Sequence, residues 1–471
     1  MVSRWLACCN LLFAGLAFGA GWQQLELNGP GTGDWRLTSS PAGPVLYLAG
    51  RDKDGPLLQR LPALGFGAET LALPEGADRF TALDGDRLLA FAGDGLYLRD
   101  RQQWRLLGRQ ASLWRGVDER TLHHWPVARE DHLFIPDFEQ LHVYRLQGRE
   151  LQALGSLPVP AIMRTSNESP RYEARKLLLA DVNLDGRKDL LVPWQDGLRL
   201  FLARADGGFE GQGRAFAPAL KLTPPQRQWV RLNDGEDFES LEIRSLETLK
   251  DLNGDGLADL VVRRLRTRSL FDQDIIFDIH FGRRTDTGLA FPVNADDQLR
   301  NSGLAFGLDM ADLNGDGKSD LYTPSTRLGV GKIVSALLTG SVDVDLHLEL
   351  QHERSFVPVD TGLEASMGVE IGKGRLHWPV FQALDLDGDG RAELAVQQGE
   401  EKLALYHWQD GRFKRRSQLR LPLPINGNRV AAVKDGQGRQ WLLILPGADD
   451  APKRQRRLLR VGHTVTPTSQ P

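Results

Sequence analysis

The chain has 471 residues, 41% hydrophobic and 25% charged, with a formal net charge of -4. That length can bury one large β domain or two to three ordinary ones, while the near-neutral charge argues against a general nucleic-acid binder, which would be basic. Fifty glycines and 25 prolines favour many short strands joined by turns over long helices.

The first segment, MVSRWLACCNLLFAGLAFGAGWQQ, reads as a secretory signal over residues 1–20. Arg4 supplies the positive region, an apolar run follows to Phe18, and small residues mark cleavage after Gly19 or Ala20. The run is short for a membrane span, and no later stretch reaches the roughly 20 apolar residues a span needs. An uncleaved anchor is the alternative. Cys8 and Cys9 precede most of the apolar run, which disfavours a lipoprotein, and they are the only cysteines. Signal removal would leave an exported protein, periplasmic or secreted, without disulfides to pin its loops.

The body, residues 21–465, is expected to be one repeat domain. A strand from Trp22 (WQQLELN) comes first, and eight units follow, starting near Trp35, Asp78, Ala111, Arg175, Glu247, Gly307, Phe381 and Arg429. Each reads as strands joined by tight turns with Asp-Gly or Gly-Gly, residues that accept the positive φ of hairpins. Four-stranded units of this size suggest blades of an all-β propeller, with eight blades, or seven if the first unit is only a closing segment. The strand from Trp22 would complete the last blade. Longer inserts fall at roughly 157–174, 224–245, 264–274 and 357–379, where loops of such length are functional or mobile. Residues 466–471 form a low-complexity tail, expected to be disordered.

Between about 175 and 425, four units carry one acidic word: LADVNLDGRKDLLV from Leu179, LKDLNGDGLADLVV from Leu249, MADLNGDGKSDLYT from Met310 and ALDLDGDGRAELAV from Ala383. Positions 1, 3 and 5 are Asp181, Asn183, Asp185; Asp251, Asn253, Asp255; Asp312, Asn314, Asp316; and Asp385, Asp387, Asp389. Position 6 is always glycine, and position 9 is Asp189, Asp259, Asp320 or Glu393. Alternating oxygen ligands on a sharp bend at glycine suit Ca²⁺. Position 7 is Arg187, Leu257, Lys318 or Arg391, an indifference that fits ligation through the backbone carbonyl. Clustered carboxylates repel, so without a cation the loop should open. Zinc is disfavoured by the lack of His and Cys, and magnesium prefers a stricter octahedron. An EF-hand would need Glu at position 12, where Val192, Val262, Thr323 and Val396 instead continue a strand. The outer units, about 35–156 and 425–465, keep the grammar without the acids. AAVKDGQGRQWLLI from Ala431 aligns with the fourth word but has Val433, Gln437 and Trp441 at positions 1, 5 and 9.

A nine-residue acidic loop entering a strand at blade spacing resembles the FG-GAP/VCBS repeat of integrin-α-like β-propellers. The resemblance covers about half of the chain directly. It implies about four structural Ca²⁺ ions, each in the hairpin between the first two strands of a blade. Little of the FG…GAP wording survives beyond Phe281-Gly282, so integrin-type ligand recognition is not carried over.

No nucleophile elbow, zinc-protease or phosphate-loop motif is present. His347, Glu349 and Gln351 share one face of a strand, which also fits an ordinary solvated strand; His123 and His124, being adjacent, point to opposite faces. N-E-S at Asn167 is a glycosylation sequon only in hosts that use it. Trp114, Trp125, Trp194, Trp229, Trp378 and Trp408 offer stacking surfaces for sugars or packing within blades. Arg164, Arg171, Tyr172 and Arg175 offer contacts for an anionic sugar or a protein. The sequence points to a binding or scaffolding module for a carbohydrate or protein partner, with no nucleic acid and no membrane span once the signal is removed. The alternative is a polysaccharide lyase, for which Arg171, Tyr172 and Arg175 would be the candidates, since some calcium-containing propellers are lyases.

Overall fold

The computed structural model describes residues 20–463 except 28–31, 53–54, 66–67, 84, 101–102, 110–122, 125–127, 130, 167–168, 196, 229–240, 270–271, 306, 328–337, 371–374, 422–424, 426, 436–437 and 446–455. The expected signal segment up to Gly19, the tail, Trp114, Trp125, Trp229 and Asn167 therefore lie outside the described residues.

Eight antiparallel sheets follow one another along the chain. Blade 1 runs from Thr32–Thr38 to Glu69–Leu71, blade 2 from Ala77–Leu83 to Gln103–Arg109, and blade 3 from Ala128–Arg129 to Glu150–Leu157. Blade 4 spans Leu178–Ala180 to Arg214–Phe216, blade 5 Glu242–Lys250 to Asp297–Ser302, and blade 6 Leu304–Ala305 to Arg375–His377. Blade 7 spans Phe381–Leu384 to Arg412–Arg420, and blade 8 starts at Val430–Lys434. The expected third start, Ala111, falls outside the described residues; its sheet begins at Ala128.

The early strand closes the circle. Ala20–Leu27 pairs antiparallel with Arg456–His463, in a register that sets Trp22 opposite Val461. Blade 8 is thus built from both ends of the chain, and all eight blades are four-stranded meanders, two of them with short additions. The count is eight rather than seven because Thr32–Thr38 opens a complete sheet of its own.

The apolar core is divided into eight clusters, one between each pair of neighbouring blades, including the pair formed by blades 8 and 1. The words after the acidic loops explain this geometry. DLLVP and ELAVQ read as unbroken apolar runs because both sheet faces are covered, a pattern of strands with no solvated side. In the second strand of blade 7, Leu394 and Val396 enter the core shared with blade 6, while Ala395 enters the core shared with blade 8.

In such meanders, the first-to-second and third-to-fourth connections lie at one end of the blade. The second-to-third connections and the links to the next blade lie at the other. The four acidic loops are all first-to-second connections. The expected inserts at 157–174 and 224–245 do link blades. That at 264–274 is instead the turn end of the second-to-third hairpin Asp259–Ser269/Asp272–His280. Most of 357–379 is the strand Ser355–Glu370, only its end linking blades 6 and 7, because alternating apolar residues there continue the sheet. Acidic loops and inserts therefore occupy opposite faces of the disc. The hairpin Arg283–Thr285/Gly288–Ala290, a third-to-fourth connection, sits on the acidic-loop face.

Leu394 is fully buried between blades 6 and 7. Leu394→Ala is expected to lower unfolding stability by about 2–5 kcal/mol, the range for buried Leu→Ala changes, measured by denaturant titration.

Candidate metal loops and axial cavity

The four acidic loops share one hydrogen-bond pattern. Both oxygens of the position-1 carboxylate accept loop amides. Gly186 N–H donates to Asp181 at 2.8 Å, Gly256 N–H to Asp251 at 2.9 Å, Gly317 N–H to Asp312 at 2.8 Å and Gly390 N–H to Asp385 at 3.1 Å. At position 3, the Oδ1 of Asn183, Asn253, Asn314 and Asp387 accepts the position-5 amide at 2.9–3.3 Å. The Oδ1 of Asp185, Asp255, Asp316 and Asp389 accepts the N–H of Arg187, Leu257, Lys318 and Arg391 at 2.8–2.9 Å. Position 7 thus takes part through its backbone, which explains its varied side chains. The position-6 glycines have φ between 81° and 90°, a region costly for other L-residues.

Position 9 opens the second strand and is buried: Asp189, Asp259 and Asp320 have no exposed surface, and Glu393 retains 5%. One oxygen accepts the position-2 amide, from Val182, Leu252, Leu313 or Leu386 at 2.7–3.0 Å. In blades 4–6 the other oxygen accepts an amide beyond the loop: Ala203 N–H to Asp189 at 2.7 Å, Gly282 N–H to Asp259 at 2.8 Å and Gln351 N–H to Asp320 at 3.0 Å. The position-9 carboxylate is therefore a clasp joining the loop to the second and third strands. Gly282, the glycine of the surviving Phe-Gly pair, is required because a Cβ there would collide with the Ala258 carbonyl. In blade 7 the Arg416 guanidinium bonds Glu393 and reaches Asp387 at 3.0 Å. Sequence inspection misses Ala203, Gly282 and Gln351, because they act through backbone amides, and Arg416, because it lies 23 residues beyond Glu393 on another strand.

Burial pushes all four position-9 carboxyls above their ordinary range, Asp259 to about 6, even though amides donate to them. The remaining loop acids are held close. Asp385, Asp387 and Asp389 present oxygens within 4.8 Å of one another, the one such group among the described residues; the first three loops have Asn at position 3. An all-oxygen set of carboxylates and carboxamides, without nitrogen or sulfur donors, fits a hard cation such as Ca²⁺.

The loops also fasten neighbouring blades together. Leu289 N–H donates to Val182 O at 2.7 Å, Ala392 N–H to Asp312 O at 3.0 Å, and Gln440 N–H to Asp385 O at 2.7 Å. Between blades 5 and 6, the Gln351 side-chain amide, oriented to satisfy both its ends, donates to Leu252 O at 2.8 Å and Ser319 O at 3.0 Å. The acid-poor turns use protein cations instead. In blade 8, Arg439 Nε donates to Asp435 at 3.0 Å and Trp441 Nε1 donates to the same carboxylate at 3.2 Å. Between blades 1 and 2, Asp86 receives Tyr47 Oη–H at 2.6 Å and the Arg60 guanidinium.

On the insert face, an open cavity of about 680 Å³ lies where the first strands of blades 5–8 converge. Ser245 and Glu247 line it from blade 5, Asp309 from blade 6, and Trp378 and Gln382 from the entry to blade 7. Arg263, in the second strand of blade 5, adds a cation whose charged form Glu247 supports. Of the other sequence candidates, Trp194 is held between Arg175 and Arg199, each 4.6 Å from its ring centroid. Arg175 also donates to Pro160 O at 2.7 Å and Pro193 O at 3.2 Å. Trp408 packs edge-on against Phe413 beside the blade 6–7 core. Arg164, Arg171 and Tyr172 lie in the hairpin Ile162–Ser166/Ser169–Glu173, their side chains outside the described residues. His123–His124 forms a short strand parallel to Ala77–Leu83.

No family model matches the chain, and no curated protein matches it. Similar solved structures include an Agrocybe aegerita lectin described as recognising non-reducing terminal N-acetylglucosamine, at 12% identity and a TM-score of 0.39, covering 95% of this chain and 96% of that one. A chain of the mitotic checkpoint complex is 12% identical, with a TM-score of 0.35, over 84% of this chain and 96% of that one. A chain from an S. cerevisiae assembly of dbp5, nup159 and gle1 is 13% identical, with a TM-score of 0.32, over 95% and 96%. At these scores the likenesses bear on no function. Among the described residues, no helix is long and apolar enough to cross a membrane.

The strand Ser341–His352 alternates as a half-solvated strand should: Val342, Val344, Leu346 and Leu348 are buried, and Asp343, Asp345 and His347 are exposed. Glu349, further along that face, is partly buried. Burial first, then the nearby Asp297 charge, pushes its carboxyl up to about 7. The unfolded carboxyl ionises near 4.5, so its unfavourable ionisation in the fold removes stability as pH rises from about 4.5 to about 7. Glu349→Gln is expected to abolish that loss, which amounts to at most about 3 kcal/mol, in denaturant titrations at pH 5 and pH 8. An unchanged pH dependence would contradict the assignment.

Proposed function

We propose that the chain is an exported, calcium-stabilised propeller of the FG-GAP/VCBS type that serves as a binding or scaffolding module for a carbohydrate or protein partner. The observation that carries this reading is the division of labour between the two faces. One face holds four equivalent acidic loops that tie strand to strand and blade to blade, and the other holds the inserts and the axial cavity. A module needs a rigid frame and one variable surface, and repeat folds place variation on one face.

Positions 1, 3, 5 and 9 of each loop would hold Ca²⁺ through side-chain oxygens, and position 7 through its carbonyl. A bound ion would supply two positive charges where the carboxylates repel and where position 9 is buried. The protein's own residues supply the rest: Asp251 and Asp312 bend the loop by accepting its amides, and Asp259 and Asp320 carry the bend into the third strand. Export rests on the N-terminal segment alone.

The lyase alternative gains no support from Arg175, whose guanidinium is committed to two carbonyls and the Trp194 ring. The propeller alone decides nothing, since it hosts unrelated functions.

Stabilisation by an ion that binds only the folded state follows mass action, about 2.7 kcal/mol per site at a hundredfold excess over Kd. Chelator should therefore lower the melting temperature of the wild type. Asp255→Ala or Asp316→Ala should lower it in calcium and blunt the further effect of chelator. A wild-type melting curve indifferent to chelator would overturn the calcium assignment.

A further inference from the structure

We infer that the axial cavity of blades 5–8 binds a saccharide that bears no anionic group, an inference that rests on the binding-module reading above and assigns its ligand class. The cavity volume, about 680 Å³, falls within the roughly 300–1,000 Å³ of small-molecule sites. It has room for a few sugar rings.

Its chemistry is that of a polyol site. Glu247 and Asp309 are acceptors, Arg263 is a donor, and Ser245 and Gln382 can do either. Ionised carboxylates accept strongly from hydroxyls. Among the described residues, the charged groups of the lining are those two carboxylates and one guanidinium, a net negative set. A uronate or sulfated sugar would have to place its charge beside them. Asp309 is exposed, yet surrounding protein and Glu247 both raise its carboxyl. That combination describes a side chain facing a confined, water-accessible space.

Trp378 lines the cavity, and its position is fixed from behind. Its side chain packs against the core of blades 6 and 7, and its carbonyl accepts Gly427 N–H at 2.7 Å. Only glycine permits that approach, since a Cβ on residue 427 would stand 2.6 Å from Pro379 O and 2.9 Å from Trp378 O. Arg263 is half-buried, and burial disfavours its charge while Glu247 supports it.

The test is calorimetry on the full chain in calcium, guided by an array of neutral, amine-bearing, uronate and sulfated oligosaccharides. A neutral or amine-bearing oligosaccharide is expected to bind. Asp309→Asn should weaken it roughly tenfold or more, as loss of a charged hydrogen-bond partner does, without lowering the melting temperature. Trp378→Ala should abolish binding and Trp378→Phe retain part of it, which separates lost stacking from lost folding. Preference for uronate or sulfated sugars, tighter anion binding by wild type than by the Asn variant, unchanged affinity in the Asp309 and Trp378 variants, or an array with no bound saccharide would each overturn the inference. If saccharides fail while chelator still lowers the melting temperature, the ligand assignment falls and the calcium-stabilised frame stands; if chelator also has no effect, both fall.

Discussion

A carboxylate buried at the mouth of a hairpin is the constraint on which the rest of this disc depends. Asp189, Asp259, Asp320 and Glu393 each begin a second strand and hold the preceding loop by its second amide. Three of them also hold a third-strand or turn amide. Removing a carboxylate from water costs several kcal/mol unless donors or charges compensate. Amide donors supply part of that compensation, and in blade 7 Arg416 adds a full charge. Burial still raises every one of these carboxyls. A divalent ion on the acids of the same loop would remove the remaining penalty, so the loop's charge and the clasp's burial have one physical remedy.

The blades without acidic words solve the same problem by other means. Asp435 is neutralised within its turn by Arg439 and receives the Trp441 indole N–H. Asp86 is neutralised across the blade boundary by Arg60. A protein cation takes the place assigned to the metal elsewhere. On the calcium proposal, the ring mixes two kinds of clip without breaking its symmetry. Blade 8 keeps its inter-blade bond, Gln440 N–H to Asp385 O, although its own loop has no acid at positions 1, 5 and 9.

Much of this was legible in the sequence because the repeats carry two strong local signals. Hairpin glycines and unbroken apolar runs specify four-stranded units buried on both faces. The acid-Gly-acid spacing marks where the first two strands of blades 4–7 meet. The strand from Trp22 announced ring closure, although its partner at Arg456–His463 was not identifiable, because pairing across the whole chain leaves no local mark. The clasping amides were hidden for a different reason: Ala203, Gly282 and Gln351 act through backbone atoms that any residue possesses. The axial cavity was equally hidden. Glu247, Arg263, Asp309, Trp378 and Gln382 are scattered over 136 residues, and only the packing of blades 5–7 around the axis makes them neighbours.

The face opposite the acidic loops gains its character from connectivity. Links between blades and second-to-third turns can lengthen without disturbing the clasps, so the longest inserts accumulate there. The exposed acids and the proposed binding surface are thereby kept apart. Metal uptake should stiffen the frame without competing with a ligand.

The most direct test of this account is the metal content of the protein itself. After stripping with chelator and dialysis against calcium, elemental analysis should find about four equivalents of Ca²⁺ per chain, one for each acidic word in the sequence. Calcium content at background at millimolar free calcium would contradict it.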